Sequence, residues 1–349
     1  MLHRHFGRRR LATAVVMLGA TFVDAALAAA QIKMPPLVAA PAPRLPVLHG
    51  RLVDVDSTPI AGASVIVDWG SVVDTLHSDS TGWFAMMVRH VDADSVPITI
   101  VPDMAHHAAR LHVAREQLRE DIDVILLPRR WVIRGGAFAG DTVEISPAAV
   151  LSRIGRESFG RIAAPLAAPQ RELVSWPRDR LPIPLSIHRE PVRAVSAADS
   201  IALWRTVHAF EAELGITVFR PADDSTVQAE GWGAIVRADR ALVPSGQTFT
   251  TWQEGGRIYD ATITVRQPSD FADHSVMFHE LLHALGFGHT GAWSSIMAKY
   301  AAAGRTELTH EDVAYAQLLL RLGALQRVVD TRFALREAAE GEAGERVGK

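Results

Sequence analysis

Residues 278–290 read FHELLHALGFGHT. Three histidines and a glutamate stand among leucine, alanine, phenylalanine and glycine, a background apolar enough for a buried helix. Imidazole and carboxylate groups left unpartnered in a core cost about 1–3 kcal/mol each. Either these side chains gather around a common ligand, or each finds its own partner in an ordinary core helix. The spacing constrains the backbone as well. Asp273 is placed to cap a helix that runs to Leu285, and His279 and His283 then lie one turn apart on one face. A straight helix would carry His289 away from them. Gly286 tolerates the left-handed conformation that ends a helix and turns the chain, so His289 can return.

Neutral imidazoles at this spacing can bind one Zn²⁺ together. Glu280, adjacent to His279, projects beside such an ion and suits a base that takes a proton from the attacking water. Three protein ligands leave a position open, as catalytic zinc sites require. The chain has no cysteine, so there is no disulfide and no thiolate nucleophile, and a soft-metal site must use histidine. Downstream, SSIMAKY supplies Met297, and ELTHEDVAYAQLLLRLG is a helical pattern with Thr309 as N-cap and Asp312 as its reciprocal partner.

His279, Glu280, His283, Gly286 and His289 fit H-E-x-x-H-x-x-G-x-x-H, the signature of the metzincin zinc proteases, which the chain resembles over about residues 178–325. The distance from His289 to Met297, the LTHED helix start and an upstream helix with Trp204 resemble the matrixin branch more than astacins or serralysins. The resemblance implies an α+β domain with a mixed twisted sheet, an active-site helix and a C-terminal helix. It implies a zinc endopeptidase with ligands His279, His283 and His289, Glu280 as general base, and Met297 in a Met-turn beneath the ligands. It also implies that the strand around residues 247–253 is an edge for an extended peptide, and that residues 298–305 wall the pocket beyond the scissile bond. Two departures stand out. Lys299 occupies the place of the tyrosine that reaches zinc in astacins and serralysins, with Tyr300 one residue further on. No cysteine exists to act as a matrixin-type latency switch. Nothing in the sequence identifies a structural calcium site.

The remainder of the 349 residues forms several segments. Residues 1–30 run basic, apolar, then small, the order of a signal peptide, and Asp24 ends the apolar run short of the roughly 20 residues of a membrane span. Arg4, Arg8, Arg9 and Arg10 against Asp24 give this segment +3 of a formal total of -3, so the remainder is near -6. An exported, periplasmic or extracellular protein is expected, with no stable membrane span after cleavage and no nucleic-acid footprint. Prolines 35, 36, 41, 43 and 46 make residues 31–47 a semi-rigid linker. Short strands broken by Pro, Gly, Asp and Ser over residues 48–130 predict a small β-sandwich. GRLVDVDSTPIAGASVIV followed by SDSTGWF resembles the transthyretin-like or carboxypeptidase-regulatory-like domain, which implies an accessory role. His106, His107 and His112 near its end read as exposed loop residues. Residues 131–177 read as a connector with one short helix, SPAAVLSRI.

From residue 178 onward, RLPIPLSI is a strand, and Ile201, Trp204, Val207 and Phe210 predict the core stripe of a helix stopped by Gly215, with His208 at the surface. A hairpin turning at residues 254–257 puts Tyr259, Ala261, Ile263 and Val265 on one face. Residues 326–349 form a charged tail.

The whole is expected to be multidomain: a small all-β sandwich followed by an α+β metzincin-type domain. Protein or peptide is the expected substrate; oligomeric state is not readable. Two other functions are open to the same residues. A zinc amidase acting on a non-protein amide would use the same water attack. A surface binding protein with an inactive protease domain would not need Glu280.

Overall fold

In the computed structural model, residues 47–89, 94–115, 118, 121–157, 171–188, 195–253, 256–298 and 305–325 are described. The signal-peptide segment, almost all of the proline-rich linker, Glu254, Gly255, Lys299, Tyr300, residues 301–304 and the charged tail lie outside them.

The first strands are short. β1 (Val47–Val53), β2 (Ser64–Asp68), β3 (Val73–His77), β4 (Trp83–Met87), β5 (Ser95–Val101), β6 (Ala109–Ala114) and β7 (Asp121–Ile125) make two sheets, β4-β1-β7 and β3-β2-β5-β6. Every second residue of β5 and β6 is buried, Val96, Ile98 and Ile100 facing in beside Ala109, Leu111 and Val113. Period-two burial of this kind is what a sheet with one wet face requires. Asp79 organises the turn before β4 by accepting from the Thr81 and Trp83 backbone N–H groups. His106 and His107 are not loop residues free in solvent. His106 pairs with Asp103 at 2.9 Å, and Nε2 of His107 lies 2.6 Å from the Ile145 carbonyl, so both are half-buried where the sandwich meets the following segment.

That following segment is more than a connector. β8 (Arg130–Val132) and β9 (Thr142–Glu144) form a hairpin, α1 (Pro147–Ile154) follows, and β10 (Gly155–Glu157) pairs with β11 (Arg171–Leu173). Trp131, Ile133, Val143, Ile145, Val150, Val174 and Trp176 all lie in the larger of the two cores. Scattered apolar residues without a long period do not announce such strands, because each is only three residues long.

The five-stranded sheet has order β13-β12-β14-β16-β15. β12 (Ile183–Ile187) leads through α2 (Ala197–Leu214) to β13 (Phe219–Pro221), and α3 (Asp224–Glu230) leads on to β14 (Gly233–Ala238). These strands and β16 (Arg257–Val265) are parallel, while β15 (Gly246–Gln253) runs antiparallel along β16 at the edge. α4 (His274–Leu285) and α5 (His310–Leu325) complete the order.

α2 starts in a Ser196–Asp199 capping box and stops at left-handed Gly215. Its buried face is Leu203, Val207, Phe210 and Leu214, whereas Ile201 is 61% exposed and Trp204 half-buried. The reason is geometric: a row of i+3 steps falls behind the helix by about 60° per step, so Ile201 and Phe210 stand on opposite sides. His208 is at the surface, beside Glu211. Between β15 and β16 the register slips, Thr251 pairing with Asp260 and Trp252 with Ile258, so that Tyr259 of β16 is passed over. This bulge puts Ile258 in the core in place of Tyr259, while Ala261, Ile263 and Val265 keep the inward face.

Gln317 on α5 joins the early segment to this layer. Its Oε1 accepts from Trp131 Nε1 and the Arg134 N–H, and its Nε2 donates to the carbonyls of Arg134 and Leu214. Gln317→Leu strands four polar groups inside the protein, and each buried orphan costs about 1–3 kcal/mol before relaxation. A loss of about 2–3 kcal/mol is expected, read as a lower denaturant midpoint at unchanged slope.

Candidate metal centre

α4 is apolar nearly all round, with Met277, Phe278, Leu281, Leu282, Ala284 and Leu285 buried, and it therefore runs through the core. Asp273 caps it by accepting from the Ser275 N–H at 2.9 Å. Phe278 meets Phe210 of α2 edge-to-face at 5.4 Å between centroids. The helix ends in a Schellman closure, with Phe287 N–H bonded to the Leu282 carbonyl and Gly286 N–H to that of His283. Gly286 has φ +113°. Trp176 Nε1 takes up another terminal carbonyl, that of Ala284, at 2.8 Å.

The turn brings His289 back to His279 and His283. The three Nε2 atoms stand 3.0, 3.3 and 3.3 Å apart. His283 is nearly perpendicular to both other rings, at 82° and 89°, so the imidazoles converge by their edges and do not stack. His279 Nδ1 donates to the Ile296 carbonyl at 2.8 Å, and His283 Nδ1 donates to the Phe287 carbonyl at 2.7 Å. A carbonyl can only accept, so the proton of each neutral ring is on Nδ1 and the Nε2 lone pairs point at one another. Lone pairs at 3.0 Å repel unless something positive lies between them. A tetrahedral ion with nitrogen ligands at about 2.0–2.1 Å sets those nitrogens about 3.3–3.4 Å apart. The donor set, the spacing and the carbonyl-anchored tautomers all fit a zinc-like ion, and this trio is the group among the described residues able to hold one. Burial holds the His279 imidazole below its usual pKa, against the opposing bond to Ile296, and so favours the neutral form that a ligand needs.

Glu280, next to the first histidine, is 4% exposed. Its Oε2 lies 2.6 Å from the Thr248 hydroxyl of β15, which is also 3.1 Å from the Glu280 carbonyl. Burial pushes the Glu280 carboxyl up to about 7, and the Thr248 hydroxyl pulls in the other direction. β15 approaches closely because Gly246 has no side chain there: a Cβ at that position would come within 2.7 Å of both Glu280 Cγ and Oε1. The opposite edge of β15 pairs with no other strand among the described residues.

Met297 is buried in the same core. It closes the loop after His289, its carbonyl accepting from Thr290 N–H and its own N–H bonding Ser295 Oγ. Thr309 and Asp312 form the reciprocal cap of α5. Gly246 and Thr248 escape a reading of the motif alone. A glycine inside a strand marks close backbone approach, so Gly246 had a local signal, whereas Thr248 had none.

No protein-family model matches the chain, and no curated protein sequence does. Among matching solved structures is the crystal structure of metalloproteinase-II from Bacteroides fragilis, 11% identical, with 71% of this chain and 89% of that one covered. Its TM-score is 0.29, a likeness too weak to place the chain in a fold family.

Proposed function

We propose that the chain is an exported zinc-dependent endopeptidase of metzincin type, and of its matrixin branch. The observation that carries this reading is the convergence of three imidazoles, two of them anchored on carbonyls, one residue away from a buried carboxylate on the same helix. His279, His283 and His289 hold the ion. When bound, zinc supplies Lewis acidity that polarises a scissile carbonyl and acidifies water. Glu280 accepts the proton of the attacking water and returns it to the leaving amine nitrogen. The outer edge of β15 pairs with an extended peptide main chain, which favours a polypeptide over a small amide as substrate. The β-sandwich is an accessory domain of the transthyretin-like kind in this reading.

The test is cleavage of a mixed peptide library by purified protein, with and without chelator, then with zinc restored. Cleavage at internal bonds that disappears with the metal and returns with it is expected. Hydrolysis of simple acyl amides without peptide cleavage would assign a zinc amidase instead. Protein that binds no zinc would defeat the ligand assignment.

Gly246 gives a finer check. In Gly246→Ala the new methyl must displace the Glu280 side chain, because the atoms it would meet are Cγ, Cδ and Oε1 of that side chain and not backbone. Misplacing a catalytic group by about 1 Å costs up to about 10²-fold. A fall in kcat of about 10- to 100-fold is therefore expected, with zinc content and melting temperature close to those of wild type. An unchanged kcat would show that the carboxylate does not need the contact with β15.

A further inference from the structure

Arg153 is the last basic residue of α1, far upstream of the histidines, and its side chain is 6% exposed. A guanidinium so deeply placed is kept charged, and its surroundings have to satisfy it. Nη1 donates to Asp312 Oδ1 at 3.0 Å, Nη2 donates to Glu311, and the group lies over the Tyr315 ring, 4.8 Å from its centroid.

Asp312 passes this restraint on. Buried completely, it accepts from Ser295 Oγ at 2.5 Å and from the Ile296 N–H at 3.3 Å, besides capping α5 through Thr309. Ile296 is the residue whose carbonyl receives the His279 Nδ1–H. The backbone of Arg153 reaches the other half of the centre, for its carbonyl accepts from the Gly288 N–H at 2.7 Å. Gly288 sits between Phe287, whose carbonyl receives the His283 Nδ1–H, and His289. One upstream residue thus grips both loops that orient the three imidazoles, one by its guanidinium through Asp312 and one by its carbonyl.

We propose that Arg153 is a positioning residue of the metal centre: it fixes the Ile296 and Gly288 segments, and through them the orientation of His279, His283 and His289. The segment that contains α1 is then a working part of the zinc site although it lies outside the histidine motif. This rests on the three histidines being metal ligands. Outer partners that orient ligating histidines change metal affinity by about 10- to 100-fold when removed.

The test uses the full chain with Arg153→Met and Arg153→Lys. Zinc affinity is read by competition with a chromophoric chelator, and the visible spectrum is read after cobalt is substituted for zinc. Gln317→Leu serves as a control for lost stability in the same core. Arg153→Met is expected to weaken zinc binding by about 10- to 100-fold and to alter the cobalt spectrum. Arg153→Lys, which keeps a charge for Asp312 but loses the fork to Glu311, is expected to fall between it and wild type. Gln317→Leu is expected to keep wild-type affinity and spectrum. Wild-type affinity and spectrum in the methionine variant overturn the proposal, as does a loss of affinity no larger than that of Gln317→Leu. Should the methionine variant not fold, the lysine variant decides by the same two readings. Failure of wild type itself to bind zinc or cobalt would instead remove the ligand assignment.

Discussion

Glu280→Gln should lower kcat for peptide hydrolysis by about a thousandfold and leave the zinc content of the protein at its wild-type level. The magnitude is that of a general base removed from a reaction that needs one, about 10²–10⁴-fold. The side chain chosen matters. Glu280 is nearly inaccessible, and one of its carboxylate oxygens lies 2.6 Å from the Thr248 hydroxyl. Glutamine has the same shape and still offers a carbonyl oxygen to that hydroxyl, so no cavity is created and the Thr248 hydroxyl keeps its acceptor. An amide nitrogen, by contrast, cannot take a proton from water at neutral pH. The imidazoles of His279 and His283 keep their anchors at Ile296 and Phe287, neither of which involves Glu280. KM should change little, because the loss is confined to the chemical step. Steady-state kinetics on one cleaved peptide, with metal analysis of the same sample, checks both halves. A variant with full kcat would move the base elsewhere; one with neither metal nor activity would make Glu280 a structural residue.

What could be read ahead of the structure follows the range of the interactions. The ends of α4 are local chemistry, an aspartate cap and a glycine turn, and they are legible in a short run of consecutive residues. The same holds for the Thr309–Asp312 cap of α5 and the period-two burial of β5, whereas β6 escapes it: His112, which reads as a loop residue, stands on the exposed face of that strand. Ile201 shows where a spacing rule fails. Steps of three suggest a stripe, but only mixed steps of three and four keep to one side of a helix, as Leu203, Val207, Phe210 and Leu214 do. Tyr259 shows a second failure, since a bulge at that residue, in the pairing of β15 with β16, resets the alternation without any glycine or proline at the slip to signal it. The supports of the metal centre were least legible. Arg153 meets Asp312, and Trp176 meets Ala284, across separations of 159 and 108 residues, and nothing near the arginine or the tryptophan in the chain marks the contact.

The second large effect belongs to Gly286→Ala. At φ +113° an L-residue is strained wherever it stands, and held backbone of this kind costs about 1–3 kcal/mol. Space adds to it: the new Cβ would lie 2.1 Å from the Val174 carbonyl oxygen. That oxygen has nowhere to go, because Val174 is buried and the residues after it are tied in place. Ser175 N–H bonds Gly256, the Ser175 carbonyl receives Ile258 N–H, and Trp176 Nε1 is bonded to Ala284 of α4 itself. Overpacking a site that cannot relax costs about 1–3 kcal/mol more. A destabilisation of about 3–5 kcal/mol is expected, which for a domain of this size lowers the melting temperature by about 10 °C. The turn also sets where Phe287 and His289 stand, so the folded fraction should bind zinc about 10- to 100-fold more weakly. Gly291, in the same loop, separates conformation from mere glycine content. A Cβ added there meets no atom within 4 Å, and its φ is not positive, so Gly291→Ala should stay within about 0.5 kcal/mol of wild type. Equal melting and equal zinc affinity in the two alanine variants would mean that the third histidine is not placed by the turn at Gly286.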